Sequence, residues 1–196
     1  TGSSPVQNSV SLTLIGYGEV GKIFARDFLA RGDARVTAYD LKFDAPENAD
    51  LIEKARAAGV TPAASAAEAA KGADIVISAV TASSALDVAR LAATYLKPGQ
   101  IFFDINSASP GTKTKAAELV NACGARYVEG AVMAPVPGPD LRVPILAGGP
   151  AAEEATTVLN ALGMNVKAVT TEPGRASAMK LCRSIMIKGI EALIVD

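Results

Sequence analysis

The sequence predicts an α/β fold of the doubly wound class: a mostly parallel sheet with helices on both faces, extra strands on its C-terminal side, and a long final helix. Three observations carry that expectation. Short apolar runs alternate with helical patterns over about the first 125 residues. Hydrophobic residues make up 49 % of the chain but aromatics only 5 %, which suits an aliphatic core pressed between helix layers. A turn of the spacing G-x-G-x-x-G joins the first apolar run to the first helical one.

The elements follow in order. "VSLTLIG" is a strand, and "EVGKIFARDFLARG" a helix with Val20, Ile23, Phe24 and Phe28 on one face and Gly32 at the place of a C-terminal glycine. "RVTAYD" is the second strand and "ADLIEKARAAG" the second helix, after which Gly59-Val60 is expected as a very short third strand. "ADIVISAV" is the fourth strand, "SALDVARLAATYL" a helix stopped by "KPG", and "QIFFDI" the fifth strand. "SPGTKTKAAELVNACG" opens with Ser109 as N-cap and Pro110 at the first helical position. Beyond that point "YVEGAVMA", "PILAGG" and "NVKAVT" read as strands with one helix, "AAEEATTVLNALG", among them. The final pattern, from Pro173 on, is a helix apolar almost all round yet carrying Lys180, Arg183 and Lys188.

Composition narrows the function. A formal net charge of −1 offers nothing to nucleic acid or an anionic membrane surface, and the apolar runs fall well short of the roughly 20 residues of a membrane span. The two cysteines, Cys123 and Cys182, read as small buried hydrophobes in a reducing cytosol, so a cytoplasmic protein without a disulfide frame or metal site is expected. Histidine is absent. That removes Ser-His-Asp triads and His bases, leaving Lys, Asp, Glu, Tyr or Cys for proton transfer.

The glycine turn is "GYGEVG", Gly16, Tyr17, Gly18, Glu19, Val20 and Gly21. Such a turn between strand and helix binds a dinucleotide: the first glycine permits the tight turn, the second lets a pyrophosphate approach the backbone, and the third lets helix and strand pack closely. The phosphates face the unpaired N–H groups of the helix. Asp40 ends the next strand, where a carboxylate takes the ribose hydroxyls of NAD and repels the 2′-phosphate of NADP. Lys42 could pair with that phosphate, yet NAD is favoured. Ala79, Val80 and Thr81 follow the fourth strand and are expected to border the nicotinamide.

Two further clusters sit near strand ends. In "DINSASPGT", the helix start accounts for Ser109-Pro110 but not for Asn106 and Ser107, which with Ala108 are candidates for orienting a substrate. "VEGAVMAPVPGPDLRVPILAGG" is rich in Pro and Gly, an irregular loop whose backbone can line the cleft. On the final helix at 100° per residue, Ser177, Lys180, Ser184, Lys188 and Glu191 share one arc, interrupted by Ile187, with Arg183 beside it. The other faces are apolar, so the helix is expected to be surrounded by protein. A lysine in such a half-desolvated groove has its pKa lowered toward the range of an acid–base catalyst.

Together "GYGEVG", "DINSASP", "VEGAVMAP" and "GRASAMKLCRS" resemble, in order, the motifs of the β-hydroxyacid dehydrogenase family, which includes 3-hydroxyisobutyrate and 6-phosphogluconate dehydrogenases. The resemblance covers the chain after the first ten residues. It implies a Rossmann-type domain, a hydride transfer between NAD and a hydroxy-acid or alcohol substrate, substrate binding at Asn106 and Ser107, and Lys180 as general acid/base. Two positions depart from the family pattern. Its Asn one turn past the lysine is Ser184, beside Arg183. Its Ser-Gly-Gly, whose N–H groups hold a substrate carboxylate, corresponds to Met133-Ala134-Pro135, and proline offers no N–H. The resemblance further implies a helical C-terminal domain after this chain and a homodimer formed through it. The expected divisions are therefore a disordered or expression-derived segment at 1–10, the dinucleotide-binding domain at 11–172, and the start of an interdomain helix at 173–196. A reductase of imines and a non-catalytic dinucleotide-binding module stay open as alternatives; retention of Lys180 speaks against the former.

Overall fold

The computed structural model describes residues 9–194, with side chains described up to residue 189; most of the 1–10 segment and the side chain of Glu191 lie outside the described residues. The strands are β1 (Val10–Ile15), β2 (Ala34–Tyr39), β3 (Thr61–Pro62), β4 (Ile75–Ser78), β5 (Ile101–Asp104), β6 (Arg126–Val132), β7 (Pro144–Gly148) and β8 (Asn165–Thr170). The helices are α1 (Glu19–Arg31), α2 (Ala49–Ala57), α3 (Ala66–Ala70), α4 (Ala85–Tyr95), α5 (Pro110–Ala122), α6 (Ala152–Ala161) and α7 (Arg175–Ile194). All eight strands form one sheet in the order β3-β2-β1-β4-β5-β6-β7-β8. Strands β1 to β6 run parallel; β7 is antiparallel to β6, and β8 parallel to β7.

One face of the sheet buries Phe24 and Phe28 of α1 and Leu159 of α6 with Leu12, Leu14, Ile75, Ile77 and Phe103 of the strands. The other buries alanines of α3, α4 and α5 against Val76, Phe102 and Tyr127. Alanine costs no side-chain entropy on burial and lets helices lie close to the sheet. The caps follow the sequence: Gly32 is left-handed at the end of α1 (φ 78), and Ser109 Oγ accepts from Thr112 N–H at the start of α5. Because order reverses between β1 and β4, a crevice opens at the carboxyl ends of these strands, the ligand position of doubly wound sheets.

The structure corrects the sequence reading at three places. The third strand is Thr61–Pro62, not Gly59-Val60: Gly59 turns left-handed after α2 (φ 90) and Val60 is buried as a core residue. Pro62, which cannot donate to a ladder, is confined to this edge strand. The short helix α3 is an addition, capped by Ser65 Oγ, which accepts from Glu68 N–H. On helix α7, Leu181, Ile185, Met186 and Ile187 are exposed within this chain. Cys182, expected to be buried, is exposed on the same helix, while Cys123 is half-buried. Among the described residues no helix is long and apolar enough to cross a membrane, and no group of His, Cys, Asp and Glu could hold a metal ion.

Candidate active site

The three turn glycines divide into two kinds by what a side chain would meet. A Cβ on Gly16, where φ is +100, would lie 2.1 Å from Ala79 O, and one on Gly21 would lie 2.4 Å from Gly16 O. Both are held by the fold. Gly18 has nothing within 4 Å of that position, so no packing demand accounts for it; a ligand approaching the backbone would. Gly18 is also the N-cap of α1 and carries no side-chain cap. The first-turn N–H groups are left to an anion, which the helix dipole favours.

Asp40 closes this turn from below. Its Oδ2 accepts from Tyr17 N–H at 2.8 Å and its Oδ1 from Lys42 N–H at 2.9 Å. A carboxylate has about four acceptor sites, so two remain for hydroxyls. Lys42 itself is exposed. Tyr17 and Glu19 stand at the mouth of the turn, partly buried and exposed respectively.

From the turn a cleft of about 510 Å³ runs along the strand ends, lined by Val20, Ala79, Val80, Asn106, Ser107, Met133, Ala134 and Lys180 among others. The structure thus gathers one residue or more from each of the four sequence motifs. Thr81 is not on this wall; its hydroxyl bonds those of Ser83 and Ser84, and Ala82 lines the cleft in its place. Ala108 lies behind Asn106, donating its N–H to Asn106 O. Arg183 and Ser184 are exposed a turn beyond Lys180, away from the cleft lining.

Asn106 lines the cleft and is held there by three hydrogen bonds of its side chain. Its Oδ1 accepts from Val80 N–H at 2.6 Å, and its Nδ2 donates to Ser78 Oγ at 2.9 Å and to Asp104 Oδ1 at 2.8 Å. It ties the ends of β4 and β5 and leaves Ser107, exposed, as the free polar side chain of that motif. At the third motif Met133 N–H is taken by Pro144 O at 2.8 Å, and Pro135 has no N–H. The loop that follows is pinned to α1: Arg26 Nη2 donates to Asp140 Oδ2 at 3.0 Å, and Leu141 N–H to Asp27 Oδ2 at 3.2 Å. At the third motif neither Met133 nor Pro135 therefore offers a free backbone donor.

Under the cleft lies a buried polar row that sequence reading did not single out. Ser78, Asp104, Glu129 and Gly148 are register partners across β4, β5, β6 and β7. Asp104 Oδ2 accepts from Tyr127 OH at 2.7 Å, and Lys113 Nζ donates to Asp104 O at 2.8 Å, Asp104 Oδ1 at 3.2 Å and Gly130 O at 3.3 Å. Lys113 is fully buried. Burial drives its pKa down, against the pull of Asp104 and Glu129. A signal for it existed: Lys113, Ala116, Ala117 and Val120 share the buried face of α5 at helical spacing. Glu129 is likewise an acid inside the apolar run of a central strand.

Lys180 is the cation of α7 that reaches the cleft. It is half-buried, and burial lowers its pKa. A neutral amine is thereby brought nearer to working pH, as a proton acceptor requires.

Comparison with known proteins follows this geometry. Residues 11–170 match the family described as the NAD-binding domain of 6-phosphogluconate dehydrogenase. A conserved hypothetical protein of Sinorhizobium meliloti 1021 is 42 % identical, with a TM-score of 0.91 over 95 % of this chain and 62 % of that one. A conserved protein of unknown function, described as structurally similar to 3-hydroxyacid dehydrogenases, is 36 % identical with a TM-score of 0.81, over 94 % and 67 %. The mitochondrial 3-hydroxyisobutyrate dehydrogenase of Drosophila melanogaster is 25 % identical over 90 % of this chain and 54 % of that protein. An imine reductase of Aspergillus terreus in complex with NADPH4 shares the fold, with a TM-score of 0.77 at 22 % identity over 96 % of this chain and 64 % of that one. The chain spans between 47 % and 64 % of the length of the curated relatives it matches.

Proposed function

The chain belongs to the family of NAD-binding domains of 6-phosphogluconate dehydrogenase, and from that premise we propose that the protein is an NAD-dependent oxidoreductase acting on a β-hydroxy acid or related alcohol, with Lys180 as its general acid/base. The observation that carries this reading is the half-buried amine of Lys180 on the wall of the cleft that starts at the glycine turn. The site fits a dinucleotide: Gly18 leaves open space, the α1 N–H groups are uncapped, and Asp40 keeps two acceptor sites outward. The cofactor, when bound, supplies the hydride acceptor.

The chain's own residues do the rest. As the alcohol carbon loses hydride, its O–H bond breaks and the proton passes to Lys180 Nζ, leaving a carbonyl and an ammonium; reduction runs the same transfers backward. Ser107 is placed to orient the substrate by its hydroxyl. The apolar wall of Val132, Met133, Ala134 and Pro135 favours a substrate with a hydrocarbon substituent there. The proposal places the protein in the cytoplasm as a homodimer, whose further length covers the apolar side chains exposed on α7.

The test is turnover by the full-length protein across β-hydroxy acids, simple alcohols, and ketone–amine mixtures, with NAD and NADP. Oxidation of a hydroxy acid or alcohol with NAD preferred is expected. Charged hydrogen bonds from Asp40 to ribose hydroxyls contribute ~1.5–3 kcal/mol, so Asp40→Ala should erase most of the preference over NADP. Turnover confined to imines, or dinucleotide binding without turnover of any of these substrates, contradicts the proposal.

A further inference from the structure

Helix α7 begins where no residue of its own can cap it. The residue before it, Gly174, is left-handed (φ +92), and a Cβ there would lie 2.7 Å from Thr114 Oγ1 and 3.1 Å from Pro110 O. The N-terminus of α7 is pressed onto the N-terminus of α5, so the Ser, Thr, Asp or Asn that commonly accepts the first-turn N–H groups has no room. The acceptor comes instead from β6. Glu129 Oε1 accepts from Ala176 N–H at 2.9 Å. Among the described residues this is the side-chain hydrogen bond that joins α7 to the sheet.

The seat of that carboxylate is built for it. Glu129 is fully buried, and its second oxygen, Oε2, has no hydrogen-bond partner. A carboxylate so placed needs a nearby cation. Lys113, held between Asp104 and Gly130 O, supplies it through space. Gly148, the register partner of Glu129, makes the room: a Cβ there would lie 2.9 Å from Glu129 Oε1 and 3.0 Å from Thr170 Cγ2. A negative group at a helix N-terminus is also stabilised by the helix dipole and by a charge-assisted bond. Ala176 and Lys180 are four residues apart and so lie on one face, one turn above the other.

We propose that Glu129, seated by Lys113, is the positioning residue of the proton-transfer helix: it caps α7 from β6 and so holds Lys180 over the cleft. The inference rests on the reading of Lys180 as acid/base only for its kinetic consequence. The cap itself is separate from that reading and has a readout of its own.

The test uses the full-length protein with Glu129→Met, which keeps volume and removes the acceptor, and Glu129→Gln, which keeps an acceptor oxygen. Amide hydrogen exchange at Ala176 should speed up about tenfold in Glu129→Met, as for a lost cap, and return most of the way in Glu129→Gln. On the best substrate, kcat should fall about ten- to a hundredfold in Glu129→Met, as for a displaced reacting group, with the dissociation constant for NAD unchanged and Gln again restoring most of the loss. Gly148→Ala, which crowds the same oxygen, should speed exchange at Ala176 in the same direction. Unchanged exchange and kcat in a folded Glu129→Met protein would overturn the proposal. So would equal losses in the Met and Gln variants. If Lys180→Met turns over normally while Glu129→Met still loses protection at Ala176, the cap stands and the reading of Lys180 falls.

Discussion

Replacing Lys180 with methionine is expected to lower kcat by about 10²–10⁴, the usual contribution of a positioned general acid/base, while NAD affinity stays as it was. Methionine keeps the length and apolar stem of lysine and removes the proton carrier. The chain holds no histidine that could take over. Asp40, Asp104 and Glu129 are engaged with backbone or buried partners, and among the described residues no other lysine lines the cleft. Lys188, two turns further along α7 and exposed, is the control: Lys188→Met should change kcat far less. Steady-state kinetics on the best substrate, with NAD binding measured separately, decides it. Near-normal turnover by Lys180→Met, or a larger loss at Lys188, would remove Lys180 from the mechanism.

The second large effect is expected at Gly18. Valine there should abolish NAD binding and leave the fold intact. The two outcomes come from one fact, the empty space around a Gly18 Cβ: nothing in the protein is displaced, while the proposed site puts the pyrophosphate in that space. Gly18 also has a negative φ of −86, a conformation that other residues adopt freely. Gly16→Val is the contrasting case, because its Cβ would strike Ala79 O and its φ is strained for any side chain. It should unfold or fail to accumulate. Circular dichroism with calorimetric NAD titration separates them. A folded Gly18→Val protein that binds NAD normally would show that the turn is not the cofactor site.

Much of this was legible in the sequence because it depends on local pattern. The strand–helix alternation, the glycine spacing, Asp40 at a strand end, and the Ser109-Pro110 helix start each follow from backbone requirements that few residue types meet. What local pattern cannot carry is partnership. A lysine on an apolar stripe looks the same whether the stripe meets protein or solvent, so the exposure of Leu181, Ile185 and Met186 on α7 within this chain was not legible. The three bonds of Asn106, to Val80, Ser78 and Asp104, were not legible because they join the ends of two strands whose register the sequence does not state. Glu129 and Lys113 sat in plain view as charges on buried faces. Their use is tertiary: one caps a helix begun 46 residues later, by the numbering Arg175 − Glu129. The strand β3 and the helix α3 are too short for periodicity to register.

The claim at the centre of this account is that a neutral Lys180 amine accepts the substrate proton, and the pH dependence of kcat/KM for oxidation tests it most directly. Burial lowers the Lys180 pKa, so the neutral form gains population as pH rises through a value below the ordinary ~10.4 of lysine. Oxidation should therefore climb with pH and level off before that ordinary value, and reduction, which needs the ammonium, should fall over the same interval. Lys180→Met should remove this limb from both directions. A wild-type profile that lacks the limb, or a limb that survives in Lys180→Met, would contradict the account.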